Sequence, residues 1–178
     1  VYFVPRRPGI PLAGGTVLDI DAGERRFADQ LKSGFLAARE EAVDDVWVFV
    51  HSQLTCDRAL ENRCLLASSR FSADQVGGAI AKLMAEGRAL ERGGRLVDTI
   101  WWNGIVREAA AVVDAAHLAH SERMGMSLND LRSALKKKLP VAELFEALAL
   151  DLCRGEFLQT GTLIRRKAHQ LALPPHLQ

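Results

Sequence analysis

Aromatic side chains and excess charge are both scarce in this sequence, and each shortage argues against a class of function. Phe, Trp and Tyr together make up 6% of the 178 residues, too few to suggest a platform on which successive nucleic-acid bases stack. The formal net charge is +1, so overall charge gives no reason to expect tight nucleic-acid binding. Any such binding must come from local basic patches.

Cysteine motifs and long apolar runs are missing as well. Cys56, Cys64 and Cys153 are odd in number and form no CxxC motif, which argues against a disulfide scaffold and a structural zinc site. No apolar run approaches the roughly 20 residues that a membrane-spanning helix needs, and no signal peptide is recognisable. We therefore expect a cytoplasmic protein without a membrane partner.

The composition that remains, 48% hydrophobic and 25% charged, is typical of one ordinary globular domain or two small ones. Because the sequence starts at Val1 rather than Met, we interpret it as a piece of a longer protein. Residues 1–20 differ from the rest: β-prone runs at Val1–Val4 and Thr16–Ile20 are separated by prolines and glycines. They predict the last strands of a preceding β domain.

Helical spacing dominates from Glu24 onward. The run Val46–Ser52 is β-branched and aromatic, but its helical flanks favour a helix. Asp57–Ser68 also predicts a helix, with Leu60, Cys64 and Leu65 on one face. The apolar stripe of the first helix consists of Phe27, Leu31, Phe35 and Leu36.

The clearest local signal is a capping box, in which Ser72 and Gln75 satisfy each other's free backbone N–H groups at a helix start. Gly87 suits the left-handed position that ends this helix. Two short β-prone runs then flank Gly93–Gly94, which predicts a hairpin. The inward face of the helix consists of Val76, Ala79, Ile80, Leu83 and Met84.

The helix, glycine and hairpin recur 68 positions later without a gap, with Asp151 in place of Leu83 as the clear misfit. Ser127 caps a helix before the second copy, and Asp130 lies in its first turn, where the helix dipole favours a carboxylate. A long helix, 103–124, precedes it, with Ile105, Ala109, Val112, Val113 and Ala116 inward. The matched pairs are Val76 and Leu144, Ala79 and Ala147, Ile80 and Leu148, Met84 and Leu152, Gly87 and Gly155, Leu90 and Leu158, Gly93 and Gly161, Leu96 and Ile164.

This succession of helices and a hairpin is the winged-helix plan, a relative of the helix-turn-helix. We therefore predict a mostly α fold with small β-hairpins: the end of a β-barrel domain at 1–20, a first winged-helix domain at 21–100 and a second at 101–178. The glycine cluster is then a wing, since a phosphate loop needs its glycines between a strand and the start of a helix.

Three stretches resemble the C-terminal part of the SelB family, the selenocysteine-specific translation elongation factors of bacteria. "LAGGTVLDI" resembles the segment that closes the family's last β-barrel, although Ala13 and Ile20 depart from it. "VGGAIAKLMAEGRALERGG" resembles the third helix and wing of its first winged-helix domain. "MGMSLNDLRSAL" with "LFEALALDLCRGEFL" resembles the second domain. Residues 46–64 carry no recognisable likeness.

The resemblance implies a parent protein that binds GTP and Mg²⁺ in an upstream domain. That parent would deliver selenocysteinyl-tRNA to the ribosome at UGA codons marked by an mRNA hairpin, which further winged-helix units downstream would bind. This piece would be a monomeric, non-catalytic spacer with at most weak RNA contact. No GxxxxGK[ST] motif is present. The alternatives left open are a winged-helix DNA-binding regulator and a protein-interaction scaffold.

Two basic runs are the candidate nucleic-acid contacts: Lys136, Lys137 and Lys138 at a helix end, and Arg165, Arg166 and Lys167 after the second wing. Together they form a positive stripe in this hypothesis, each phosphate contact adding about one unit to the salt slope. The third helices do not favour base reading. The first presents Gln75 and Lys82, and the second presents Glu143, Glu146 and Asp151, which repel phosphate.

Two further residue pairs have side chains that could form a site. His117 and His120 have a spacing at which two imidazoles share a metal, but no further ligand accompanies them, so we expect a solvated or packed pair. Trp101 and Trp102 lie between the two predicted domains, and we expect at least one to be buried. No GxSxG or similar nucleophile setting is present, so we predict no catalytic site, cofactor or metal in this piece.

Overall fold

A computed structural model describes residues 2–4, 6–19 and 30–169. The chain divides into two compact units, one formed by Val1–Leu90 and Arg95–Asp98, the other by Glu91–Gly94 and Thr99–Gln178. Both are mostly helical, and each carries a small antiparallel three-stranded sheet, as the predicted mostly α fold with small β-hairpins requires. In the described part of the chain, no helix has the length and apolar character to cross a membrane.

The first unit begins with four two-residue strands. They are β1 (Tyr2–Phe3), β2 (Arg6–Arg7), β3 (Ile10–Pro11) and β4 (Gly15–Thr16). β1 pairs with β4 and β2 with β3, both antiparallel. β1 lies within the predicted run Val1–Val4. Of the predicted run Thr16–Ile20, only Thr16 is in a strand: residues 17–19 are not, and Ile20 lies outside the described residues.

Four helices and three strands follow, all in the first unit except Glu91 and Arg92, the last two residues of one strand, which belong to the second unit. They are α1 (Gln30–Glu41), α2 (Val46–Asp57), β5 (Ala59–Leu60), α3 (Asn62–Ala67), α4 (Ala73–Ala85), β6 (Ala89–Arg92) and β7 (Arg95–Asp98). The helical prediction for the apolar run at Val46 is confirmed; Asp45 accepts hydrogen bonds from Trp47 N and Val48 N and so starts α2. In the predicted first helix, Phe35 is buried, whereas Phe27 lies outside the described residues.

The helix predicted over Asp57–Ser68 is wrong in its first part. α2 ends at Asp57 because Arg58 adopts a left-handed φ of +70°, and Leu60 then lies in β5, paired with Leu96 of β7. Asp98 N donates to Arg58 O at 2.9 Å and extends this pairing. The long-range strand pairing outweighs the helical spacing of Leu60, Cys64 and Leu65.

The capping box and the glycine assignments are confirmed. Gln75 N donates to Ser72 Oγ at 3.3 Å, and Ser72 N donates to Gln75 Oε1 at 2.9 Å. Gly87 has a φ of +69° just after α4, and the turn between β6 and β7 contains Gly93 at +55° and Gly94 at +72°. The apolar core of this unit consists of Val50, Leu54, Leu60, Leu65, Val76, Ala79, Leu83, Ala89 and Leu96.

The second unit repeats the order helix, strand, helix, helix, strand, strand. Its elements are α5 (Thr99–Ala119), β8 (Met126–Ser127), α6 (Leu128–Leu135), α7 (Leu144–Arg154), β9 (Phe157–Thr160) and β10 (Leu163–Arg166). α5 starts four residues before the predicted 103, so Trp101 and Trp102 lie inside it, and Trp102 is buried as expected of at least one of them. Ile105, Ala109 and Val113 are buried, whereas Val112 and Ala116 are half-buried.

The two sheets have the same topology. Their strand orders are β5-β7-β6 and β8-β10-β9, with the last strand in sequence at the centre of each. Leu60 pairs with Leu96 in the first, and Met126 pairs with Ile164 in the second. Gly161, with a φ of +60°, repeats the turn geometry of Gly93. Gly155 departs from the repeat, because its φ of −88° is not left-handed.

Candidate nucleic-acid interface

The first basic run lies at the exposed end of α6. Lys136 is the C-terminal capping residue of that helix, and all three lysines are exposed. Lys138 pairs with Glu108 of α5. Lys136 and Lys137 make no ion pair with any residue that the structure describes, so their charges remain available to a phosphate.

Arg166, in the second run, is held by two carboxylates of its own unit. Its Nε donates to Asp114 Oδ1 and its Nη2 to Asp114 Oδ2, both at 2.6 Å, and Nη1 contacts Glu156. The hydrogen bond from Arg166 lowers the pKa of Asp114. A bidentate pair of this kind fixes the guanidinium plane, so most of the charge of Arg166 is compensated within the protein.

The neighbours of Arg166 are also engaged with the protein. Lys167 Nζ donates to Gly155 O at 2.6 Å. Arg165 is half-buried, and its Nη1 donates to His169 O at 3.5 Å. Lys136 and Lys137 are therefore the most accessible cations of the six predicted contacts.

The two runs meet different flanks of α5. Lys138 contacts Glu108 and Arg166 contacts Asp114, and these acids are six residues apart on one helix. At 100° per residue they point roughly 120° apart around the helix axis. This geometry does not favour the continuous positive stripe of the sequence-based hypothesis.

The acidic residues of α7 fall into two groups. Glu143 and Glu146 are exposed, and Glu146 Oε1 accepts from Arg132 Nη2 at 2.5 Å. Asp151, predicted to face outward, is instead only 12% exposed and accepts from Arg92 Nε at 2.6 Å and Trp102 Nε1 at 2.9 Å. The first copy has the fully buried Leu83 at the matching position, so this position faces the core in both.

Electrostatics of Asp151 follow from these donors. Burial by itself raises the pKa of Asp151, but the hydrogen bonds from Arg92 and Trp102 outweigh it, and the pKa is lowered. Arg154 Nη1 adds a third donor, 2.8 Å from Oδ1. The carboxylate is therefore fully charged at neutral pH and structural in role.

The histidine pair predicted on α5 is separated by the fold. His117 stacks on His169, with ring centroids 4.0 Å apart and ring planes at 11° to each other. His120 Nδ1, in contrast, lies 3.6 Å from Glu122 Oε1. Burial, followed by the charge of His169, lowers the pKa of His117. Within the described residues no three His, Cys, Asp or Glu side chains gather as a metal site would require.

Two features escaped sequence reasoning. Gly125 lies so close to β10 that a Cβ on it would be 2.7 Å from Ile164 O, which explains the glycine of the Gly-Met-Ser segment. Arg39 is 5% exposed in the first unit. The sequence does indicate this burial, because an arginine four residues after Phe35 lies on the same, buried face of α1.

No family model and no curated protein matches the chain.

Proposed function

We propose that the chain is a tandem winged-helix segment. The observation that supports this proposal most directly is the order helix, strand, helix, helix, strand, strand in both units, with the last strand at the centre of each sheet. Three helices finished by a two-stranded wing is the arrangement expected of this helix-turn-helix relative. The ladders β1–β4 and β2–β3 are the end of an upstream β-barrel in this proposal.

The segment serves as a spacer in a selenocysteine-specific elongation factor of the SelB kind. In support, the resembling stretches coincide with equivalent elements: one covers α4 to the Gly93–Gly94 turn, and the others cover β8 with α6 and α7 with β9. GTP and Mg²⁺ binding, selenocysteinyl-tRNA and the mRNA hairpin belong to other parts of that parent. Ribosome contact also belongs to the parent as a whole, in the cytoplasm.

Electrostatics favour a spacer over a sequence-specific reader. The helix that would enter a groove, α7, has the exposed Glu143 at its N-cap and the exposed Glu146 in its first turn. Glu146 is paired with Arg132, whereas Glu143 makes no ion pair with a described residue, so Glu143 is the acid that repels phosphate. Arg166 is compensated by Asp114 and Glu156. Lys136 and Lys137 are left for weak backbone contact with RNA, which carries no sequence information.

A chimeric factor tests the spacer role. In a bacterial selenocysteine-specific elongation factor, the matching segment is replaced by residues 1–178 or, as the control, by a flexible Gly-Ser linker of equal length. Readthrough of a UGA codon upstream of the cognate mRNA hairpin is then measured with a reporter. We expect the first chimera to support at least about ten-fold more readthrough, because two folded units restrict the separation of their ends more than a flexible linker of equal length does.

Equal readthrough by the two chimeras contradicts the spacer role. The runner-up, a DNA-binding regulator, has Gln75 and Lys82 exposed on α4 in its favour. It predicts instead that the isolated chain binds a particular duplex with sub-micromolar affinity.

A further inference from the structure

The first unit contains a partly open cavity of 230 Å³ between residues 16–18, α1, α2 and the segment that follows α3. For comparison, an apolar cavity of roughly 150 Å³ accommodates a benzene molecule. The cavity therefore has room for a ring-sized ligand with a small polar group. Its apolar lining consists of Val17, Leu18, Ala42, Val43, Phe49, Ala67 and Phe71.

One wall of the cavity is a buried cation. Arg39 donates to four neutral oxygens: Nε to Ser52 Oγ at 3.0 Å, Nη1 to Leu18 O at 2.8 Å, and Nη2 to Phe49 O at 3.1 Å and Gln53 Oε1 at 2.8 Å. Its guanidinium also lies 4.2 Å from the ring centre of Phe35. The charges of Asp19 and Asp57 both favour the cation, but burial outweighs them and lowers the pKa of Arg39. The buried charge is therefore only partly compensated and attracts a further anion.

A second cation lies at the mouth of the cavity. The side chain of Arg70 is 34% exposed and contacts Val43 O and, at 2.5 Å, Asp44 Oδ1. Asp44 is 95% exposed, so this ion pair is worth little in water. An incoming carboxylate of similar geometry can replace Asp44 without breaking a buried interaction.

We propose that this cavity binds a small monoanionic carboxylate with an apolar body the size of one ring, the carboxylate meeting Arg70 at the mouth. The apolar body lies along Phe49 and Phe71, and the positive potential of Arg39 behind the wall favours the anion. The site lies wholly in the first unit and is independent of the spacer function.

The ligand class follows from the combination of charge and volume. Inorganic phosphate carries charge but buries no apolar surface, so it leaves the apolar walls unfilled. A neutral ring of equal size fills the walls but leaves the two guanidinium groups without an added partner. Only a ligand with both features uses both sides of the cavity.

The test compares three probes of the whole chain by two-dimensional amide NMR titration: benzoate, benzyl alcohol and inorganic phosphate. We expect benzoate to bind with a dissociation constant on the order of 1 mM or tighter, shifting amides of residues 16–18 and 67–71. Benzyl alcohol should bind about five-fold more weakly, the scale of an exposed charge pair, and phosphate about ten-fold more weakly than benzoate. Equal affinity of benzoate and either other probe overturns the proposal.

Variants locate the bound ligand. Arg70→Gln should abolish the preference of benzoate over benzyl alcohol, whereas Arg63→Gln, at an exposed arginine outside the cavity, should keep it. Ala42→Leu and Ala67→Leu, each filling the cavity from a different side, should weaken benzoate at least about ten-fold. Retained preference in Arg70→Gln, or unchanged benzoate affinity in both leucine variants that keep the wild-type amide spectrum elsewhere, overturns the proposal.

Discussion

Trp102 Nε1 donates a 2.9 Å hydrogen bond to Asp151 Oδ2, the same oxygen that accepts from Arg92 Nε. The indole is 1% exposed and the carboxylate 12%. A helix position that holds an apolar leucine in the first copy thus holds a satisfied acid in the second. Asp151, the mismatch in the sequence repeat, is thus a polar anchor: it links α7 to α5 through the hydrogen bond from Trp102.

Removal of this carboxylate should destabilise the second unit. Asp151→Ala leaves the buried Trp102 N–H and the Arg92 guanidinium without their acceptor, and we expect a loss of about 2–4 kcal/mol in free energy of unfolding. Amide hydrogen exchange in α7 measures it. Glu146→Ala, which breaks an exposed pair on the same helix, should cost less than about 1 kcal/mol. Similar losses in the two variants contradict the anchor role.

The stabilisation by Asp151 should also depend on pH. Because its pKa is lowered in the folded state, its contribution is fully present above the ordinary aspartate value, near 3.9. It is lost as the pH falls through the folded-state value. The difference in unfolding free energy between the wild type and Asp151→Ala should therefore be constant from pH 7 to 5 and should shrink below about pH 4.

Gly125 and Gly104 form a matched pair for glycine replacement. A Cβ at Gly125 would be 2.7 Å from Ile164 O, whereas one at Gly104 in α5 meets nothing within 4 Å. We expect Gly125→Ala to destabilise by about 1–3 kcal/mol, since backbone must move. Gly104→Ala should be neutral or stabilise by up to about 1 kcal/mol, because alanine favours the helix. Thermal unfolding measures both, and a stabilising Gly125→Ala contradicts the close approach of β10.

Arg39 should be important for the first unit in spite of the cost of burying it. Burial lowers the pKa of Arg39 to about 10, so it stays charged at neutral pH. In Arg39→Met, the acceptors Leu18 O, Phe49 O and Gln53 Oε1 lose their hydrogen-bond donor. We expect the free energy of unfolding to fall by roughly 2–4 kcal/mol. Chemical denaturation followed by the amide NMR signals of α2 measures it. Arg63→Met, at a side chain 82% exposed, should change stability by less than about 0.5 kcal/mol.

Mild acid should weaken the second unit through His117. Its folded-state pKa is lowered from 6.5 by burial and by His169, with Arg165 and Arg166 acting in the same direction and Asp114 against it. Below pH 6.5 the unfolded chain binds a proton that the folded chain resists, so stability falls as the pH drops toward the folded-state value. His117→Gln should reduce the loss of stability between pH 7.5 and 5.5, which amide hydrogen exchange in α5 measures. His120→Gln, at the exposed residue that follows α5, is the control and should leave that loss of stability in place.

Local signals in the sequence predicted the features that depend on neighbours along the chain. The capping box at Ser72, the left-handed Gly87 and the turn at Gly93–Gly94 are decided within a few residues, and the structure confirms them. The helical assignment of Leu60 failed because its partner Leu96 is 36 positions away. Long-range pairing of this kind leaves no periodic trace in a two-residue strand.

The sequence predicts which basic residues could contact nucleic acid, but it does not show which of them are free of ion pairs within the protein. The basic runs are where the sequence shows them, yet only the fold brings Asp114 and Glu156 to Arg166. Asp151 was misjudged for the same reason, since its donors Arg92 and Trp102 are 59 and 49 residues away. Charge counted along the chain does not reveal which charges are already paired.

Nucleic-acid titration of the whole chain tests the central claim most directly. Fluorescence anisotropy at low salt compares random duplex DNA pools, a selenocysteine-type mRNA hairpin and selenocysteinyl-tRNA, with Lys136→Gln/Lys137→Gln as the variant and Arg166→Gln as its matched control. We predict weak, sequence-independent binding whose salt slope falls by up to about two units in the lysine variant and less in the arginine variant. Sub-micromolar binding that selects one duplex sequence would contradict it.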